Sequence, residues 1–141
     1  MINIYKEETN YYVLLDNNKV YTNDLTDQEI LYLISNDLRD NKNEKGTYQY
    51  NNRYLDSYNL IYSIKDFNPS KELVIGLLKL RFRYGSIVDE LMIDANCCKI
   101  LNETYFIIKD LKESYGIYAP PTKAEVYNYL INNKEPDLTL K

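Results

Sequence analysis

The feature that most constrains this chain is an apolar seam in its second half. Leu73, Leu77, Leu80, Tyr84, Ile87 and Leu91 recur at alternating intervals of four and three residues. Because an α-helix completes a turn in 3.6 residues, that spacing holds one face of a helix for about five turns. Ser70, after Asn68-Pro69, stands where a helix cap is wanted. Lys79, Arg81 and Arg83 alternate as strand residues would, but three positions do not outweigh the longer seam, and a helix is expected over 70–94 with a kink at Gly85. Cys97 or Cys98, Leu101, Tyr105, Ile108 and Leu111 continue the pattern, predicting a second helix over 96–115 that Gly116 ends as a left-handed cap. Thr122 with Glu125 spells a capping box, opening a short last helix through Val126, Leu130 and Ile131.

The first half is patterned differently. Ile2 and Ile4, Tyr11 to Leu15, and Val20 to Tyr21 read as strands, with Asp16-Asn17-Asn18 as a turn that tolerates left-handed backbone. Thr26 and Glu29 form another capping box, and Ile30, Leu31, Ile34 and Leu38 then share a face, so a helix is expected over 27–38. Asp40 to Gly46 is polar and charged and predicts a mobile surface loop. Tyr48 and Tyr50, and then Tyr58, Leu60, Tyr62 and Ile64, alternate with period two and predict further strands. The expected fold is α+β: an N-terminal antiparallel sheet of about four short strands with one inserted helix, followed by two long helices and a short C-terminal helix. With no repeats and no low-complexity linker, 1–141 is expected to form a single domain. Its parts are a strand-rich acidic half (1–69), a helical half (70–133) and a polar tail (134–141).

Length and composition then bound the function. A chain of 141 residues buries enough surface to fold without a metal or disulfide. It contains no histidine, which removes the commonest general base, the commonest zinc ligand and every Ser-His or Cys-His nucleophile. Its four glycines are scattered singly, so phosphate-loop fingerprints fail. Asp89, Glu90 and Asp94 are close enough to suggest a magnesium or acid-base site, but a solvated helix face is the commoner use of such acids. Adjacent Cys97 and Cys98 cannot staple distant segments and read as reduced thiols on the helix seam. No cofactor, no metal and no enzymatic activity are expected. Apolar runs stay far short of the roughly 18 residues of a membrane span, so the chain is expected in a cytoplasm, without membrane contact.

Residues 108–126, with Gly116 and Pro120-Pro121-Thr122 between two helices, resemble the opening of a LexA-type winged-helix repressor domain. Ile117 and Ala119 lengthen the turn, and a resemblance confined to these residues implies no function for the chain.

Two surfaces remain as candidates. Sixteen tyrosines against no tryptophan, with many Asn, Ile and Lys, fit an A+T-rich genome, such as that of a low-GC bacterium, its phage or another virus. Ten of the tyrosines lie in the strand-rich half, where one core face cannot bury them all. That half holds seven Lys and Arg against eleven Asp and Glu, whereas residues 70–141 hold ten of each, so the net charge of -4 belongs to the sheet half. Tyr48, Tyr50, Tyr54, Asp56 and Tyr58 are therefore expected to bind a protein partner, a basic host protein in the case of a phage- or virus-encoded inhibitor, since exposed tyrosine supplies contact area and acids orient a basic partner. The alternative is a nucleic-acid-associated regulator: Lys79, Arg81 and Arg83, interleaved with Phe82 and Tyr84, are expected to hold phosphates beside a ring that stacks on a base. A homodimer is compatible with either.

Overall fold

The N-terminal sheet follows from two tight turns. Asp16 and Asn17 adopt φ of 51° and 68°, the left-handed pair that a two-residue hairpin needs, and join strand β2 (Asn10–Leu15) to β3 (Asn18–Tyr21). Glu8, at φ 56°, begins the turn joining β1 (Tyr5–Glu7) to β2. The sheet is antiparallel in the order β1-β2-β3, with Tyr5 opposite Tyr12, Tyr12 opposite Tyr21 and Val13 opposite Val20. The computed structural model describes residues 3–37 and 52–139. The loop expected over 40–46 and the strand expected at Tyr48 and Tyr50 lie outside the described residues.

Thr26 and Glu29 exchange their capping bonds at 2.9 and 3.1 Å, and helix α1 (Asp27–Asp37) starts where the sequence placed it. Residues 58–64 are a correction. They belong mostly to helix α2 (Asn52–Ser63), not to a strand. Tyr54, Tyr58 and Ile61 are buried at spacings of four and three, while Tyr62, one of the alternating set, faces solvent. The period-two pattern was a coincidence of even-numbered apolar residues within a helical face. Among the described residues the sheet thus has three strands rather than about four.

The helical half follows its seam, with one break. Helix α3 (Lys71–Tyr84) is capped by Ser70, whose side chain accepts from the Leu73 amide. It stops at Gly85, at φ 81°, a backbone angle glycine adopts without strain. The expected kink is therefore a full break, and a five-residue helix α4 (Ile87–Leu91) precedes α5 (Ala95–Ser114). Thr122 and Glu125 complete their capping box at the start of α6 (Lys123–Asn132).

Helix α3 lies at the centre and contacts α1, α2, α4 and α5. Its Val74, Ile75, Leu77 and Leu78 are fully buried, in one cluster with Val13 of the sheet, Ile30 and Ile34 of α1, and Tyr54 and Ile61 of α2. Polar ties join the halves: Thr22 donates to Glu72 at 2.9 Å, and the Lys71 ammonium donates to the Asn23 and Leu25 carbonyls. The C-terminal turn is held by Tyr84 donating to the Pro121 carbonyl at 2.5 Å and by a Lys112–Glu125 pair at 2.8 Å. Among the described residues, no helix is long and apolar enough to cross a membrane.

Candidate functional site

Helices α3 and α5 approach closely where Gly76 faces Asn102: a Cβ added at Gly76 would sit 2.6 Å from the Asn102 Oδ1. Glycine inside a helix costs about 1 kcal/mol against alanine, and here the missing Cβ makes room for the Asn102 side chain. Beside this crossing the surface opens into a groove of about 710 Å³, walled on its third side by Asn3, Ile4 and Tyr11. Lys79 and Arg83 line it from α3, and Asn102, Tyr105, Phe106 and Lys109 line it from α5. The Arg83 guanidinium lies 6.0 Å over the Tyr105 ring, and Phe106 meets Tyr105 edge to face at 5.4 Å while remaining 49% exposed. Lys109 pairs with Glu113 at 2.9 Å, one helical turn away in solvent, and that hydrogen bond holds its ammonium above the usual lysine range. Glu72, the groove's acid, accepts from Thr22.

A second feature lies on the outward face of the sheet. Tyr5 stacks on Tyr12 at 5.2 Å and 22°, and Tyr12 meets Tyr21 edge to face at 6.4 Å. The three rings form a cross-strand ladder because register places them side by side, while Val13 and Leu15 point into the core. Lys19 reaches over Tyr12 at 4.8 Å and bonds Glu7, and Leu14 beside them is 48% exposed.

The expected site residues separate. Tyr48 and Tyr50 lie outside the described residues. Tyr54 and Tyr58 are corrected: both are buried in the core, because the helical period of α2 turns them inward. The Tyr58 hydroxyl donates to Asp27, and burial, reinforced by that carboxylate, pushes its pKa far up. Asp56 is exposed on the same helix. Of the basic residues, Lys79 and Arg83 come together in the groove, whereas Arg81 turns to α4 and pairs with Asp89 at 3.1 Å. The groove residues of α5 were missed, although Asn102, Tyr105, Phe106 and Lys109 are spaced for one helix face.

The remaining candidates have structural work. Asp89 also accepts from Ser57 at 2.9 Å, and Asp94 is not on a helix with Asp89 and Glu90 but caps α5, accepting from the Cys97 amide at 2.8 Å. The same Asp94 carboxylate, by its hydrogen bond, holds the Cys97 thiol above its usual range, and burial pushes Cys98 up to about 11. Neither thiol is activated as a nucleophile would be. Among the described residues, no cluster of three or more Cys, Asp or Glu is arranged to hold a metal ion. No protein-family model, no curated protein and no solved structure matches this chain.

Proposed function

We propose that this protein is a non-enzymatic binding module that engages a protein partner, as an inhibitor carried by a phage or virus would, through the tyrosine ladder of its N-terminal sheet. The observation that carries this reading is the set of three aromatic rings, Tyr5, Tyr12 and Tyr21, held in register on a solvent-facing strand surface beside Leu14. Tyrosine on a rigid sheet offers broad amphipathic contact area while losing little side-chain entropy on binding. The excess acid of residues 1–69 favours a basic partner and speeds its approach. This replaces the 48–58 surface, two of whose tyrosines are committed to the core.

The test is capture of a partner from lysate of the source organism or its host, comparing the native chain with a Tyr5→Ala/Tyr21→Ala variant. The expected outcome is a partner whose affinity falls at least about thirtyfold in the variant, as for two interface hot spots, with the fold intact. A partner retained equally by both proteins would remove the sheet face as the working surface.

A second reading, association with nucleic acid, is favoured by one observation. Lys79 and Arg83 share a groove with exposed Phe106 and partly buried Tyr105, which is the pairing of cation and ring that nucleic acid uses.

A further inference from the structure

We infer that the groove between α3 and α5 is a binding site for a nucleotide unit, with the phosphate on Lys79, Arg83 and Lys109 and the base against Phe106. This inference rests on the nucleic-acid reading and gives it a location. Three cations from two helices line one concavity, and among the described residues that line it there is one acid, Glu72, which accepts from Thr22. The described lining thus holds three cations against one acid in a chain whose total is -4. Charge alone would fit any anion. The rings narrow the choice: Phe106 keeps half its surface in solvent and is braced edge to face by Tyr105, which Arg83 covers from the other helix. A braced, half-exposed ring next to cations suits an aromatic heterocycle bearing a phosphate, because the base stacks while the phosphate takes the charge.

The groove's size and polar groups agree. Its volume of about 710 Å³ lies in the range of small-ligand sites, large enough for a nucleotide and its neighbour. Asn102 brings its side-chain amide to the groove lining, the kind of group that reads a base edge. The Lys109–Glu113 pair does not close the site: both side chains are about 40% exposed, and an exposed pair one helical turn apart is weak enough for a phosphate to displace the carboxylate.

The same chemistry is presented by a free mononucleotide and by a single strand, and the experiment separates them. Fluorescence anisotropy is measured with a labelled ten-nucleotide oligothymidylate, alone and in competition with adenosine monophosphate. The proteins are the native chain, Lys79→Gln/Arg83→Gln, Lys109→Gln, Phe106→Ala and, as a charge control outside the groove, Lys123→Gln. Saturable binding is expected, weakening steeply with salt. The double variant and Phe106→Ala should each lose about tenfold or more, Lys109→Gln less, and Lys123→Gln should bind as the native chain does. Lys109 and Phe106 are exposed enough that folding does not confound their result, which circular dichroism of each variant checks. Competition by adenosine monophosphate at millimolar concentration would identify a mononucleotide site, and its failure beside tight oligonucleotide binding a single-strand site; either outcome supports the groove. Oligonucleotide binding that ignores all the groove variants would overturn the groove assignment while leaving the nucleic-acid reading standing. Absence of oligonucleotide binding at low salt would overturn both.

Discussion

The outward face of the sheet and the interior of the helical bundle use the same side chains to different ends. Tyr5 is 38% exposed and stacked on a neighbouring strand, whereas Tyr54 is wholly buried. Lys19 and Glu7 pair with side chains about 45% exposed, whereas Lys112 and Glu125 pair with exposures of 7% and 21%. Residue type did not decide these fates; element and register did. In a strand, alternate positions face opposite sides, so Tyr12 looks outward because Val13 and Leu15 look inward. In α2, positions four and three apart share a face, so Tyr54 and Tyr58 turn inward together with Ile61. A surface ring is available to a partner, and a buried one holds the fold.

The comparison breaks first, and most visibly, at Tyr54. Replacing this fully buried ring by alanine deletes core volume between α2 and α3 and is expected to cost about 3 to 5 kcal/mol. Urea denaturation would register this as a lower midpoint with an unchanged slope. A cost below about 1 kcal/mol would place Tyr54 on a surface and restore it as a candidate for partner contact.

The ion pairs sharpen the comparison at intermediate size. Lys112→Met keeps the buried stem but removes the charge facing Glu125 and the donor to the Pro120 carbonyl, with an expected cost of about 2 kcal/mol at pH 7. Burial alone would raise the pKa of Glu125; the Lys112 ammonium and the Thr122 capping bonds outweigh it and hold the carboxyl below its usual range. A folded-state pKa depressed in this way stabilises the protein above the unfolded value of about 4.3 and ceases to do so as pH falls through the folded one. The stability gap between the native chain and the variant should therefore be full at pH 7 and narrow below about pH 4. A gap constant from pH 7 to pH 3 would show that the pair acts by shape and not by charge.

How legible all this was in the sequence follows the same division. The capping boxes at Thr26 and Thr122, the Ser70 cap and the α3 seam were readable because each is a local rule with fixed spacing, and the structure places helices at those signals. Residues 58–64 misled because four apolar residues at even positions satisfy a strand template. The competing set of Tyr54, Tyr58 and Ile61, at helical spacing, begins four residues before that alternating stretch. The apolar seam on both sides of Gly85 predicts no more than a kink; its positive φ, a property of three dimensions, makes it a terminus. The groove was half legible. Lys79 and Arg83 could be paired on one side of α3, but Arg81 could not be removed from the set without seeing Asp89 on a helix beyond the break. That Phe106 and Lys109 stand opposite them depends on how α5 crosses α3 at Gly76, which spacing along either helix does not specify.

The smallest effect is the most discriminating, because it asks whether the sheet face is truly free. Tyr5→Ala removes one ring of the ladder, leaving Tyr12 and Tyr21 in contact. Cross-strand pairs contribute a few tenths to about 1 kcal/mol, and an exposed ring loses little buried area when truncated, so the expected cost is about 0.5 kcal/mol. In a domain of this size that corresponds to a Tm fall of about 2 °C, measurable by calorimetry. The value matters by contrast with Tyr54: one residue type should span nearly the whole range of core-to-surface costs within one chain. If Tyr5→Ala instead costs 2 kcal/mol or more, the outward face packs against something in solution. A second copy of the chain is then the occupant to examine, by the concentration dependence of Tm, since a self-associating face is stabilised by mass action and a free one is not. If the cost is small and Tm does not depend on concentration, the ladder is an unoccupied aromatic surface on a rigid support, and its rings are available to a partner without loss to the fold.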